Sequence, residues 1–145
     1  MTSTDAQLRA AFRKTDYIPV KIVPDGLLVD ERTLDALRGR IVHCQIRRKL
    51  FADDGTLDCH SPDGVTAADG RSCEECLHPR CRPWLRIHLA SAHRRYILDL
   101  ASTSARNLFE IEDQLGEEGN DLYETPLELC VQSHGHWGEV VFIRL

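Results

Sequence analysis

Apolar and polar residues alternate with a period of two along much of this 145-residue chain, the mark of strands with one buried face. The strongest run is "IVHCQIRRKLF", residues 41 to 51. In it Val42, Cys44, Ile46 and Leu50 fall on one face, and His43, Gln45, Arg47 and Lys49 on the other. "WLRIHLA" repeats the pattern, with Leu85, Ile87 and Leu89 opposite Trp84, Arg86 and His88. "RRYILDLAS", 94 to 102, reads as the next strand, reached through a turn around Ser91–His93. "LELCVQS" and "WGEVVFIRL" read as a closing hairpin across "HGH".

The period changes once. In "STSARNLFEIEDQLGEEG", Ala105, Leu108, Ile111 and Leu115 recur at helical spacing, and Phe109 can widen the stripe. Ser102, Thr103 or Ser104 is expected to supply the N-cap oxygen, and Gly116 or Gly119 the ending. Upstream, "YIPVKIVPDGLLVDE" reads as an edge hairpin turning at "PDG". "RTLDALRG" is read as a helical turn, and "TLDC" as a short partner strand after the turn "ADDG". Residues 1 to 16 are polar and are expected to be a flexible or lightly docked terminus, leaving 17–145 as one domain. One short helix among many strands excludes a doubly wound α/β protein. A mainly β protein with one helix is expected, a small, partly closed antiparallel barrel in which closure removes exposed edges.

No stretch approaches the roughly 18 apolar residues of a membrane span, and no signal or transit peptide is visible, so a cytoplasmic location is expected. The formal charge of −5 conceals a division. Between Arg38 and Arg95 there are 11 Lys/Arg against 7 Asp/Glu, whereas the remainder carries 7 against 16. A basic patch is therefore compatible with an acidic total.

"CHSPDGVTAADGRSCEECLHPRC", 59 to 81, interrupts the strands with four of the chain's six cysteines. Cys73 and Cys76 form a C-x2-C pair, Cys81 follows, and Cys59 lies ahead of a Gly/Pro/Asp-rich excursion. Four thiolates on such a segment suit tetrahedral Zn²⁺, and a full set of sulfurs makes the site structural, not hydrolytic. His60 and His78 are possible substitute ligands. An iron–sulfur cluster, a redox disulfide at "CEEC" and unligated thiols are the alternatives. The segment has little apolar material, so bound metal would provide the free energy that orders it. Cys44 is read as core, while the face of Cys130 is open.

Basic residues surround this segment: Arg47, Lys49, Arg71, Arg80, Arg82, Arg86, Arg94 and Arg95. With Trp84 and His88 they suit single-stranded nucleic acid, with charge tracking phosphates and an aromatic ring stacking on bases. Phe51 and Trp137 are weaker stacking candidates, and Trp137 is read as core. The competing reading is a solvated sheet face.

The run Cys59-His-Ser-Pro-Asp-Gly-Val-Thr, then Cys73-Glu-Glu-Cys76 and Cys81, resembles a group of small phage and mobile-element proteins with a four-cysteine zinc loop. "LDLASTSARNLFEIEDQL" resembles their strand–"TS"–helix segment, and the likeness spans roughly residues 41 to 145. The resemblance implies an oligonucleotide-binding (OB)-like fold that handles single-stranded DNA. It also implies Cys59, Cys73, Cys76 and Cys81 as the cysteine set, with Ser61, Asp63 and Gly64 in the turn of its first arm. The order strand–strand–strand–helix–strand–strand is independently compatible with such a barrel.

Motifs for catalysis are missing: there is no H-E-x-x-H, Walker A loop or G-x-S-x-G, and "SCEEC" lacks the proline and His/Glu pair of a zinc deaminase. His134 and His136 read as a polar hairpin tip. The expectation is a non-catalytic binder of single-stranded nucleic acid, DNA in the first instance, acting in phage or mobile-element replication, repair or recombination. The alternative is a zinc-stabilised adaptor that modulates a host or replication enzyme through its acidic helix residues Glu110, Glu112, Asp113, Glu117 and Glu118.

Overall fold

The computed structural model describes residues 17–51, 57–61 and 82–145, with the backbone alone at 49–51 and 57–61. Among the described residues, nine strands and one long helix follow in the order β1 (Tyr17–Val23), β2 (Gly26–Val29), β3 (Arg32–Leu34), β4 (Ala36–Phe51), β5 (Leu57–Ser61), β6 (Arg82–Ala90), β7 (Arg95–Leu100), α1 (Ser102–Glu117), β8 (Leu127–Ser133) and β9 (Gly138–Arg144). A 3-10 turn, Leu122–Glu124, links α1 to β8. The strands form one sheet in the order β3-β2-β1-β7-β6-β4-β8-β9, with β5 on the flank of β4.

β4 organises the sheet. Its first residues pair with β8 (Leu37↔Leu129), its middle with β6 (Cys44↔Ile87), and its end with β5 (Leu50↔Cys59). The change of partner falls at Gly39, where a Cβ would sit 2.5 Å from the Ala90 carbonyl oxygen. Glycine thus permits the bend that carries one strand through both halves of the sheet. The far ends then curl towards each other: β2 lies against β8, and β1 against β9. A Cβ on Gly138 would meet the Val23 carbonyl oxygen at 2.7 Å. No ladder joins these ends among the described residues, so the sheet is curled but open.

The concave side of the curl holds the core. Leu85, Ile87 and Leu89 of β6, Leu98 and Leu100 of β7, and Leu127 and Leu129 of β8 are buried there with Leu108 and Leu115 of α1. The helix stripe read from sequence is present: Ala105, Leu108 and Leu115 are buried and Ile111 is half-buried. Gly119 (φ +77) closes α1 in a Schellman arrangement, with Asn120 N–H donating to Leu115 O and Gly119 N–H to Gly116 O.

Several expectations are corrected. "RTLDALRG" is not a helical turn: Arg32–Leu34 is a strand and Ala36 opens β4. The two are recruited by sheet partners on either side, β2 and β8, which outweigh weak local helix preference. The β1–β2 hairpin turns after Val23 as expected, but β1 is not an edge, because it also runs parallel to β7 (Val20↔Leu98). That is the one pairing among the described strands that is not antiparallel.

On β4 a bulge between Ile41 and His43 takes up Val42, which is 41% exposed, and Ile41 is the buried residue. Ile46 pairs with Leu85 yet is 55% exposed. It lies past Cys44, the point where Tyr123 of the 3-10 turn covers this side of the strand. Cys44 is half-buried and packs against the core, and burial raises its thiol pKa although Tyr123 hydrogen-bonds to it. No side chain caps the N-terminus of α1, whose N-cap is Ala101. The Ser104 hydroxyl, buried, instead accepts from the Val140 N–H of β9 at 2.9 Å. Phe109 does not join the apolar stripe and is 47% exposed.

Candidate nucleic-acid interface

Burial of Leu85, Ile87 and Leu89 turns Trp84, Arg86 and His88 of β6 to the opposite side of the sheet. Cross-strand register extends that face. Arg47 lies beside Trp84, Gln45 beside Arg86 and His43 beside His88. On the other flank Asp99 lies beside Arg86, Ile97 beside His88, and Pro19 of β1 beside Ile97. Four of the residues singled out from sequence, Arg47, Trp84, Arg86 and His88, thus share one face. Arg82 is exposed at the end of the same ladder, opposite Lys49, whose side chain is not described. Arg94 is not beside them: it sits in the Ser91–Arg94 turn past the far end of β6, 3.6 Å from the Asp30 carboxylate.

A cavity of about 750 Å³ opens on this face, with Trp84, Arg86 and Ile97 in its lining. Its second wall is the β8–β9 loop, which contributes His136 and Trp137. Asp30 and Glu31, in the turn between β2 and β3, also line it. Trp137 is therefore not core; it is 40% exposed. Its ring stacks on His134, with centroids 4.3 Å apart and planes at 13°. His134 Nε2 is 3.1 Å from Glu139 Oε1, and Asn107 of α1 donates to Glu139 Oε2 at 2.8 Å and to Val140 O at 2.9 Å. A chain of contacts from the helix thus positions the tryptophan. The Asn107 donor holds the Glu139 carboxyl below its usual pKa, desolvation opposes this, and His134 adds to it.

Electrostatics on the sheet wall are less basic than the sequence implies. Arg86 Nε donates to Asp99 Oδ1 at 2.7 Å and its Nη2 to Oδ2 at 3.0 Å, a bidentate pair that cancels its charge locally. Arg47 Nε is buried and has no hydrogen-bond partner among the described residues. His88 sits edge-on between Tyr17 and His43, at centroid distances of 4.8 and 5.1 Å. Burial, then the charges of His43 and Arg86, lower its pKa, with Asp99 acting the other way.

Of the cysteine set, Cys59 lies on β5 opposite Leu50; Cys73, Cys76 and Cys81, with Arg71 and Arg80, fall outside the described residues. The segment departs after Ser61 and re-enters at Arg82. β5 and β6 flank β4, so that Arg48 faces Ser61 on one side and Pro83 on the other. Its two ends are therefore anchored about 10 Å apart, two strand spacings. Among the described residues, His134 and His136 included, no three His, Cys, Asp or Glu side chains form a metal site.

Sequence reasoning missed Asp99 and the Asp30–Glu31 turn as parts of this site, and ranked Trp137 only as a weaker stacking candidate. The available signal for Trp137 was its place directly after "HGH", at a hairpin tip. No helix among the described residues is long and apolar enough to cross a membrane. Comparison with protein-family models, curated proteins and solved structures gives no match to this chain.

Proposed function

We propose that the protein is an OB-like barrel that binds single-stranded nucleic acid, DNA in the first instance, without catalysis. One observation carries this reading: Trp84 of the sheet and Trp137 of the β8–β9 loop line one groove on the β6–β7 face. In an OB barrel a long first strand is shared by both halves, and a helix separates the third and fourth strands. β4, β6, β7, α1, β8 and β9 follow that plan, with β1–β2 added beside β7. Oligonucleotides lie across strands two and three of such barrels, between the loop after the first strand and the loop before the last. Those positions correspond here to β6–β7, the cysteine segment and the Trp137 loop. Tryptophans stack on bases of any sequence, and Arg47 and Arg82, with Lys49, lie in register to follow phosphates.

Cys59, Cys73, Cys76 and Cys81 would hold a structural Zn²⁺ that orders the segment between Ser61 and Arg82, with Arg71 and Arg80 as its basic contribution. The resemblance to phage and mobile-element proteins supports a role in their replication, repair or recombination. Anisotropy titrations of a labelled oligonucleotide at several salt concentrations test the binding. Saturable binding is expected, with a log–log salt slope of about −2 for three phosphate contacts; no salt-sensitive saturation rejects the reading. The metal is tested separately: about one Zn²⁺ per chain, lost in Cys73→Ser/Cys76→Ser, is the expected content for a four-sulfur site.

A second reading, a zinc-ordered adaptor, is favoured by Phe109, which is exposed on α1 beside Glu110, Glu112 and Asp113. Partner capture abolished by Phe109→Ser, with no oligonucleotide binding at any salt, would decide for it.

A further inference from the structure

The groove between Trp84 and Trp137 offers phosphate no surplus of positive charge. Asp30, Glu31 and Asp99 line it with Lys21 and Arg86, the Arg86 guanidinium is already matched by Asp99, and Asp30 lies 3.6 Å from Arg94. Arg47 and Arg82 outside it are the better phosphate partners, which leaves the groove to the bases. A base bound there meets a particular set of polar groups. Two of Arg86's nitrogens are fixed by Asp99, which locks the guanidinium plane, and Arg86 makes no other hydrogen bond among the described residues. The outer edge of that fork has N–H donors side by side.

Guanine carries two acceptors, N7 and O6, on one edge, and the N2 amino donor on another; adenine sets a donor beside N7, and thymine sets a methyl beside O4. An Arg fork with carboxylates across the groove therefore suits guanine. Asp30 (φ 47) and Glu31 (φ 67) are the two residues of the tight turn that pairs Val29 with Arg32, and a turn of this hand takes positive φ at both positions.

We propose that this groove is a guanine-selective base pocket, with Arg86 reading N7 and O6 and the β2–β3 turn accepting from the amino edge. The proposal rests on the single-strand reading above and adds base preference to it. The test uses the unaltered protein and four labelled oligo-dT probes, in which one central dT is kept or replaced by dG, by 7-deaza-dG or by dC. The dG probe is expected to bind about tenfold more tightly than oligo-dT, and removal of N7 to erase most of that gain. Arg86→Lys keeps the charge but loses the fork, and is expected to bring the dG/dT affinity ratio close to one, whatever it does to either affinity. Equal binding of all four probes, preference for dC, or unchanged affinity for 7-deaza-dG overturns the guanine pocket while the single-strand reading stands. Failure to bind any probe overturns both.

Discussion

Trp84 and Trp137 reach the same groove by opposite routes. Trp84 stands on β6, a regular strand whose other face is among the most deeply buried surfaces in the molecule, with Ile87 and Leu89 fully covered. Its direction follows from alternation alone. Trp137 stands in a hairpin loop turning through Gly135 (φ +87), and its place depends on His134, Glu139 and Asn107. The sheet wall is thus fixed by the core, while the loop wall is fixed by a few polar contacts that solvent and pH can reach. One wall can be rigid while the other adjusts to what enters.

Changes to the two walls should differ in kind. The largest effect belongs to the core side of the sheet wall. Ile87→Ala is expected to destabilise by about 2–5 kcal/mol in denaturant titration, through lost burial and a cavity behind Arg86 and His88. Trp84→Ala and Trp137→Ala are each expected to weaken oligonucleotide binding by about 1–3 kcal/mol, the stacking contribution of one base. Trp137→Ala should do so with almost no change in stability, since the ring is 40% exposed; an equally large loss of stability would mean that the loop wall is structural after all.

Asn107→Ala comes next. It removes the donor to Glu139 and Val140 and should cost about 1 kcal/mol of stability. Although Asn107 does not line the groove, binding should weaken with it, and Glu139→Gln, which keeps a hydrogen-bonding side chain, should lose less. The smallest effect is on pH. Glu139 has a lowered pKa in the folded protein, so its contribution is present above the ordinary glutamate value of about 4.3 and is lost as pH falls through the lowered value. In Trp84→Phe protein, leaving Trp137 as the sole tryptophan, acidification through that range should change its fluorescence before global unfolding. His88 acts in the same direction at higher pH. Its pKa is lowered in the folded state, so stability falls as pH drops from about 6.5 towards the lowered value. His88→Gln should flatten that part of the curve.

Much of the strand content was legible because a strand with one buried face writes its period into the chain. Leu85, Ile87 and Leu89 against Trp84, Arg86 and His88 is the plainest case, and the helix stripe of Ala105, Leu108 and Leu115 is another. Legibility failed where a third element decided the outcome. Val42 looked like core until a bulge removed it from the alternation. Ser104 looked like a cap until β9 brought the Val140 amide to its hydroxyl. Trp137 looked like core because a large aromatic ring usually is, and nothing local says that the curl of the sheet leaves it on the rim of a groove.

The sequence by itself determined which residues β6 turns away from the core and the buried stripe of the helix Ser102–Glu117. Local period suffices for these, since each depends on neighbours along the chain. Tertiary structure alone decided that β1 lies parallel to β7, that Arg86 is matched by Asp99, and that Asp30, Trp84 and Trp137 face one cavity. Those relations join residues far apart in sequence. They follow from how a bent β4 and a curled sheet bring distant strands together, and no local pattern encodes that.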